Sequence, residues 1–177
     1  MLSSPTRLMV VGFVMLGLAG CFGPNPNLTE GGLAKPVVTA DFPARVEAGS
    51  TSELTVGIEN PGPGEINSFS IAFAVVAVGG SQGNAKPLVL PAPAPARLGG
   101  DQKISSSIDS ISPKPTTVGQ GGVVFQFGPL GEEESTEVVF EIVAPRESGD
   151  YANSLQVYDS QALDRIGAIK VQAEVSG

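Results

Sequence analysis

Alternation of apolar and polar residues, repeated along most of the chain, is the feature that most limits how this sequence can fold. In TSELTVGIEN (residues 51–60), Leu54, Val56 and Ile58 are separated by polar side chains. A β-strand places successive side chains on opposite faces, so a period of two predicts strands with one buried face. The same period recurs in INSFSIAFAVVAV, EVVFEIV and AIKVQAEV, at residues 66–78, 137–143 and 168–175.

Five further stretches carry a weaker form of this pattern. They are PVVTADF, KPLVLPA, KISSSIDSI, GVVFQFG and YANSLQVYDS, at residues 36–42, 86–92, 103–111, 122–128 and 151–160. No stretch after residue 20 has the 3.6-residue period of an amphipathic helix. Many short strands separated by Gly and Pro turns are typical of an all-β fold, and we predict an antiparallel β-sandwich of seven to nine strands.

The N-terminus differs from the rest of the chain. LMVVGFVMLGLA, residues 8–19, contains 12 residues with no polar side chain and follows a short segment that carries Arg7. As a helix this stretch would extend about 18 Å, which is less than the hydrocarbon core of a bilayer, about 30 Å. A basic start, a short apolar core and small residues at its end predict a secretory signal peptide.

The residues after this apolar core, Leu18, Ala19, Gly20 and Cys21, resemble the cleavage motif of bacterial lipoproteins. The resemblance implies cleavage before Cys21, a diacylglyceryl group on its sulfur and usually an acyl group on the new amine. Two or more acyl chains hold a protein stably at a membrane, whereas one does not. The alternative is an ordinary signal peptide with an incidental cysteine near the cut.

These features divide the chain into three parts. Residues 1–20 are the predicted signal peptide, and residues 21–36 are the predicted lipidated cysteine and flexible tether, rich in Pro and Gly. Residues 37–177 are the predicted sandwich domain. Cys21 is the only cysteine, so no disulfide is available to this domain. With 10 basic against 18 acidic residues, the chain repels nucleic acid, which we exclude as a partner.

Two stretches of turn residues sharpen the fold prediction. ENPGPGEI (residues 59–66) and GPLGEEESTEVVFEIVAPRESGDY (residues 128–151) resemble immunoglobulin-like domains of bacterial surface proteins, of the cell-adhesion-related and conserved-repeat types. The resemblance implies an immunoglobulin-like sandwich and supports fold better than function. Tyr151 is a candidate for a tyrosine corner, in which the hydroxyl bonds nearby backbone. The alternative is an ordinary core or edge tyrosine.

The most distinctive local feature is the insertion at residues 79–100, which is bounded by glycine pairs. It contains Pro91, Pro93 and Pro95, and alternating Pro and Ala favour an extended rod without internal hydrogen bonds. One interpretation is a projecting loop that binds a partner, since long loops in compact domains are often functional. The other is a strand that crosses between the two sheets and continues as a stiffened edge.

Catalytic chemistry finds little support. The chain has no histidine and no Gly-x-Ser-x-Gly motif, so we predict no catalytic residue, no cofactor and no metal. Consecutive Glu132, Glu133 and Glu134 do not have the alternate spacing of a Ca²⁺ loop, and we interpret them as a solvated hairpin tip. Asp159 and Asp164 are weaker candidates for metal binding. A carboxylate-based hydrolase of envelope glycans is the alternative, and it would require acidic side chains that converge in one cleft.

The sequence therefore predicts a membrane-anchored, non-catalytic immunoglobulin-like module of the cell envelope. Its expected roles are protein binding, structure or adhesion, with an envelope protein as partner and the membrane engaged through lipid on Cys21. The alternative is an accessory subunit of an envelope complex. Phe22 occupies the position where some lipoproteins carry an Asp for inner-membrane retention. The resemblance thus implies the outer membrane in a two-membrane bacterium, and otherwise the outer face of the plasma membrane.

Overall fold

The computed structural model describes residues 36–74, 85–92, 104–160 and 165–177. The predicted signal peptide, its motif Leu18, Ala19 and Gly20, and Cys21 with most of the tether lie outside these residues. Within them, ten β-strands and one short 3-10 turn (Gln120–Gly122) are formed. The strands are β1 (Val37–Asp41), β2 (Arg45–Glu47), β3 (Thr51–Asn60), β4 (Phe69–Ala74), β5 (Ile108–Ser112), β6 (Thr117–Val118), β7 (Val124–Phe127), β8 (Glu134–Val143), β9 (Gly149–Asp159) and β10 (Arg165–Ser176).

The strands form two sheets that enclose one apolar core. The four-stranded sheet has the order β1-β3-β8-β5, and the six-stranded sheet has the order β2-β10-β9-β4-β7-β6. The alternating residues of β3 and β8 point inward and are fully buried, as the sequence predicts. The ring of Phe140 meets the ring of Phe73 from the opposite sheet edge-on, with 5.1 Å between centroids. The predicted all-β immunoglobulin-like sandwich is confirmed.

Strands β1 and β2 form an edge of the sandwich that departs from the predicted antiparallel arrangement. They are two parts of one extended segment that leaves the four-stranded sheet and joins the six-stranded one. Pro43 lies between them, and a proline has no N–H to continue a ladder. Strand β2 pairs in parallel with β10, Arg45 opposite Glu174 and Glu47 opposite Ser176. The sandwich is therefore not entirely antiparallel, and its ten strands exceed the predicted seven to nine.

The stretch KPLVLPA is not a strand, contrary to the prediction. It forms one isolated parallel bridge, from Lys86 to Tyr151. The consecutive residues Leu88 and Val89 are both buried, 1% and 0% exposed, because the segment turns across the end of the sandwich instead of running along a sheet. No helix of the described residues is both long and apolar enough to cross a membrane.

The two ends of the sandwich differ in what they carry. At the end we call the N-terminal end, Val37 pairs with Glu59 and Asn60 pairs with Glu134. At the other end, called the stem end, Thr51 pairs with Val143. The ten-residue strands β3 and β8 span the distance between these ends, roughly 33 Å at 3.3 Å per residue. The chain enters β1 at the N-terminal end, and β10 finishes at the stem end.

Candidate functional site

A set of hydrogen bonds at the stem end joins the two flanks of residues 93–103. On the outgoing flank, the N–H of Ala92 donates to the carbonyl of Gly121 at 2.7 Å. On the returning flank, the N–H of Ser105 donates to the carbonyl of Gly122 at 3.0 Å. The hydroxyl of Ser105 also donates to the carbonyl of Leu90 at 2.5 Å. We call this arrangement of Leu90–Ala92, Ser105 and Gly121–Gly122 the stem.

Glycine is required on the inner side of the stem. Gly121 and Gly122 have φ values of 66° and 63°, a left-handed conformation that other residues adopt at a cost. A Cβ atom added to Gly121 would lie 2.9 Å from the Cβ of Pro91. Pro91 is thus packed against the 3-10 turn within the stem. The other prolines of the predicted partner-binding loop, Pro93 and Pro95, lie outside the described residues.

A buried asparagine fixes the segment that leads into the stem. Asn153 of β9 is 0% exposed, and its side chain forms both hydrogen bonds of a backbone pair with Val89. Oδ1 accepts from the N–H of Val89 at 2.7 Å, and Nδ2 donates to its carbonyl at 3.0 Å. Nδ2 also donates to the carbonyl of Ala74, at 3.3 Å. The Asn153 side chain therefore provides hydrogen-bond partners for buried backbone groups at the point where β4 ends.

A groove of about 590 Å³ opens between the two sheets beside this segment. One wall is formed by Lys86, Pro87, Leu88 and Leu90, and the other by Ser106, Ser107 and residues 143–147, with Tyr151 between them. Among the described residues, the large apolar side chains left exposed are Leu90 (53%) and Ile104 (37%). Leu90 lines the groove, and Ile104 is adjacent to the stem residue Ser105. The stem end is thus where this part of the chain presents apolar surface to solvent.

An ion pair and a tyrosine border the groove. Lys86 Nζ lies 2.6 Å from Glu147 Oε2, and both side chains are exposed. The hydrogen bond and charge of Glu147 raise the pKa of Lys86, and those of Lys86 lower the pKa of Glu147. The Tyr151 hydroxyl donates to the carbonyl of Glu147 at 3.0 Å, which forms the tyrosine corner suggested by the sequence. Lys86 Nζ lies 6.0 Å from the centre of the Tyr151 ring.

The acidic stretch Glu132, Glu133 and Glu134 is exposed, as predicted, but it is not a hairpin tip. It connects β7 of one sheet to β8 of the other. The carboxylate of Glu134 accepts from the N–H of Gly131 at 2.7 Å, which holds the turn. Asp159 is the last residue of β9, and Asp164 lies outside the described residues. Within those residues, no group of three or more Asp, Glu or Cys side chains is placed to hold a metal ion.

The described carboxylates lie mainly on outer faces and turns. Asp150 and Glu174 are opposite each other on β9 and β10 and line a second hollow of about 470 Å³. Glu174 is paired with Arg45 at 3.0 Å, and both Asp150 and Glu174 are exposed to solvent. A hydrolytic carboxylate pair needs one acid shielded so that it keeps its proton, and this hollow does not shield either side chain.

No protein-family model matches the sequence, and no curated protein matches it either. Among solved structures, the chain is similar to the CARDB domain of a Pyrococcus furiosus protein, with 13% identity, a TM-score of 0.45, and coverage of 80% of this chain and 94% of that one. It is similarly close to a cohesin module from a Clostridium perfringens family 33 glycoside hydrolase, with 18% identity, a TM-score of 0.46, and coverage of 80% and 97%. At these values the likeness carries no functional argument.

Of the prolines predicted to form a partner-binding loop, Pro91 belongs to the stem, where it packs against Gly121. Sequence reasoning missed Asn153, Gly121 and Leu90, which hold or border the stem. Asn153 had a readable signal, because it shares its period-two positions with Tyr151 and the apolar residues of β9 and is the polar residue on that buried face. Gly121 and Leu90 had none, since their roles arise from contacts between distant parts of the chain.

Proposed function

We propose that this protein is a lipid-anchored, non-catalytic module of the cell envelope that binds a protein partner at its stem end. The observation that carries the proposal is the exposure of Leu90 and Ile104 beside an open groove, in a domain whose other large apolar side chains are buried or half-buried within the described residues. Exposed apolar groups that cluster beside a groove are typical of protein interaction sites.

The position of the anchor is consistent with this role. Residues 21–36 join the sandwich at the N-terminal end, so the stem end lies roughly 33 Å away, at the far side of the domain. A flexible tether of about 15 residues has a mean span of about 21 Å. Lipid on Cys21 would thus hold the domain near the membrane, with the groove at the end of the sandwich away from the tether. Anchoring raises the effective concentration of such partners without any new contact.

The proposed location is the outer membrane of a two-membrane bacterium, or the outer face of the plasma membrane in a one-membrane bacterium. Treatment of cells with a labelled fatty acid tests the anchor: the wild-type chain is expected to incorporate label and to fractionate with membranes. Cys21→Ser should abolish both. An unlabelled wild-type chain released to the medium would contradict the lipoprotein assignment.

Crosslinking in intact cells tests the binding role. The wild-type chain should yield one dominant protein adduct by mass spectrometry, and Leu90→Asp should reduce that adduct several-fold while membrane fractionation is unchanged. Ala168→Asp, an exposed change on the outer face of the six-stranded sheet, is the matched control and should leave the adduct intact. A subunit of an envelope complex would give a stoichiometric adduct. Adducts with lipid or wall polysaccharide alone would contradict protein binding.

A further inference from the structure

We propose that the free edge of β5, together with the groove beside it, accepts an extended segment of a partner protein as an added strand. The segment would present apolar side chains toward the groove and basic side chains toward the outer face. This inference rests on the proposed protein-binding role and deepens it by naming the edge and the chemistry of the partner. The proposal requires three features: a sheet edge that can pair with an added strand, an apolar site beside that edge, and a surface charge that favours basic side chains of the partner.

Strand β5 is the most open of the four sheet edges in the described part of the chain. Strands β2 and β6 are three and two residues long and offer few backbone groups. Strand β1 passes close to β10, since a Cβ at Gly167 would lie 3.0 Å from Val38 Cγ2. Strand β5 spans five residues and pairs with β8 on one side, with a β-bulge between Ile108 and Ser110. The N–H of Ile108 donates to the carbonyl of Ser105, so an added strand would pair beyond Ile108. The terminal strand of a sheet leaves a row of N–H and carbonyl groups that can pair with an extended chain.

The edge of β5 runs directly into the groove. Ser106 and Ser107 line the groove and are followed at once by Ile108, the first residue of β5. The N–H of Val143 donates to the carbonyl of Ser107 at 2.9 Å, so this approach is held against β8. A strand added along β5 and continued past Ile108 would approach the groove at Ser106 and Ser107, and Leu90 lines the same groove. Added strands of this kind gain affinity from backbone hydrogen bonds and specificity from side-chain pockets.

The charge of the neighbouring face selects the partner. The four strands β1, β3, β8 and β5 contain no Lys or Arg, and their exposed side includes Asp41, Glu53, Glu59, Glu137 and Glu141. The hydroxyl of Ser110 donates to Glu141 Oε2 at 2.8 Å, so an acidic group lies one strand from the edge. An added strand would lie about 10 Å from Glu141, within reach of a Lys or Arg side chain. Basic residues on its outer side complement this face.

The test uses the purified protein and a blocked peptide of about seven residues that alternates Lys and Val, long enough to span β5. A peptide with Glu in place of Lys is the control. We expect saturable binding of the Lys peptide, at least tenfold weaker binding of the Glu peptide, and slower hydrogen exchange at amides of β5 but not of β6. Leu90→Asp and Glu141→Gln should each weaken binding of the Lys peptide several-fold.

Equal binding of the two peptides, no binding, or protection that spares β5 would each overturn the proposal. Glu132→Gln, which removes a distant exposed carboxylate, separates a general attraction to this acidic protein from recognition at the edge, and it should leave binding unchanged. The outcome is separable from the proposed function, because a cellular adduct that depends on Leu90 but is unaffected by changes in β5 would leave the binding role intact and reject this edge.

Discussion

Replacement of Asn153 tests the hydrogen-bonding account of the stem end most directly. In Asn153→Ala the N–H and carbonyl of Val89, both buried, lose the partners at 2.7 and 3.0 Å. A buried backbone group left without a partner costs about 1–3 kcal/mol, so two such groups predict a loss of about 2–6 kcal/mol in the free energy of unfolding. This is a large share of the roughly 5–15 kcal/mol that stabilises a typical domain.

The measurement is urea unfolding of the purified protein, followed by hydrogen exchange at residues 85–92. Ser154→Ala is the matched control, since Ser154 is adjacent but faces outward, and its effect should stay below about 0.5 kcal/mol. In Asn153→Asp, the buried carboxylate faces two carbonyls, which raises its folded-state pKa above the unfolded value of about 3.9. Its stability should therefore fall as pH rises through these two values. If Asn153→Ala costs under about 1 kcal/mol and leaves exchange unchanged, the reasoning is refuted.

Three further predictions concern the same end of the molecule. Gly121→Ala should destabilise the protein by about 1–2 kcal/mol, because of the positive φ at this position and the contact of the added Cβ with Pro91. Gly128→Ala is the control and should not destabilise it, since a Cβ there has open space, and thermal unfolding compares the two variants. Tyr151→Phe should cost about 1 kcal/mol in urea unfolding through the lost bond to the Glu147 carbonyl, and no loss would show that the corner adds nothing. The pKa of Glu147, measured by NMR titration, should lie below 4.5 and return toward it in Lys86→Met. The pair's contribution to stability is thus present above the ordinary carboxyl pKa and is lost as pH falls through the lowered one.

Local periodicity in the sequence predicted the long strands well. The alternation of TSELTVGIEN matches β3 residue for residue, because the apolar side chains of this strand face the core and the side chains between them face outward. The same reason accounts for β8 and β10. Strands β2 and β6, with three and two residues, are too short to show a period. The assignment of β2 depends on pairing with β10, which is distant in the sequence, and that of β6 on pairing with β7, which follows it after five residues.

The stem end could not be predicted because it depends on contacts between such distant segments. KPLVLPA has a strand-like composition, yet Leu88 and Val89 are both buried because the segment crosses the end of the core. The glycines that receive it lie about thirty residues further along the chain. Similarly, the sequence placed Glu132–Glu134 in an exposed turn correctly, but whether that turn joins neighbouring strands or opposite sheets is set by the order of strands.

The passage of the first segment from one sheet to the other has a mechanical consequence. Strand β1 begins at the N-terminal end, and β2 continues toward the stem end beside β10. A pull on the chain before Val37, such as the proposed lipid anchor would transmit, would act along these strands if the stem end were held by the proposed partner. The five residue pairs of β1 with β3 and the three of β2 with β10 would then be loaded together in shear instead of being peeled apart in turn. The edge where the chain enters the sandwich is thus held by two ladders, one in each sheet, that resist such a pull together.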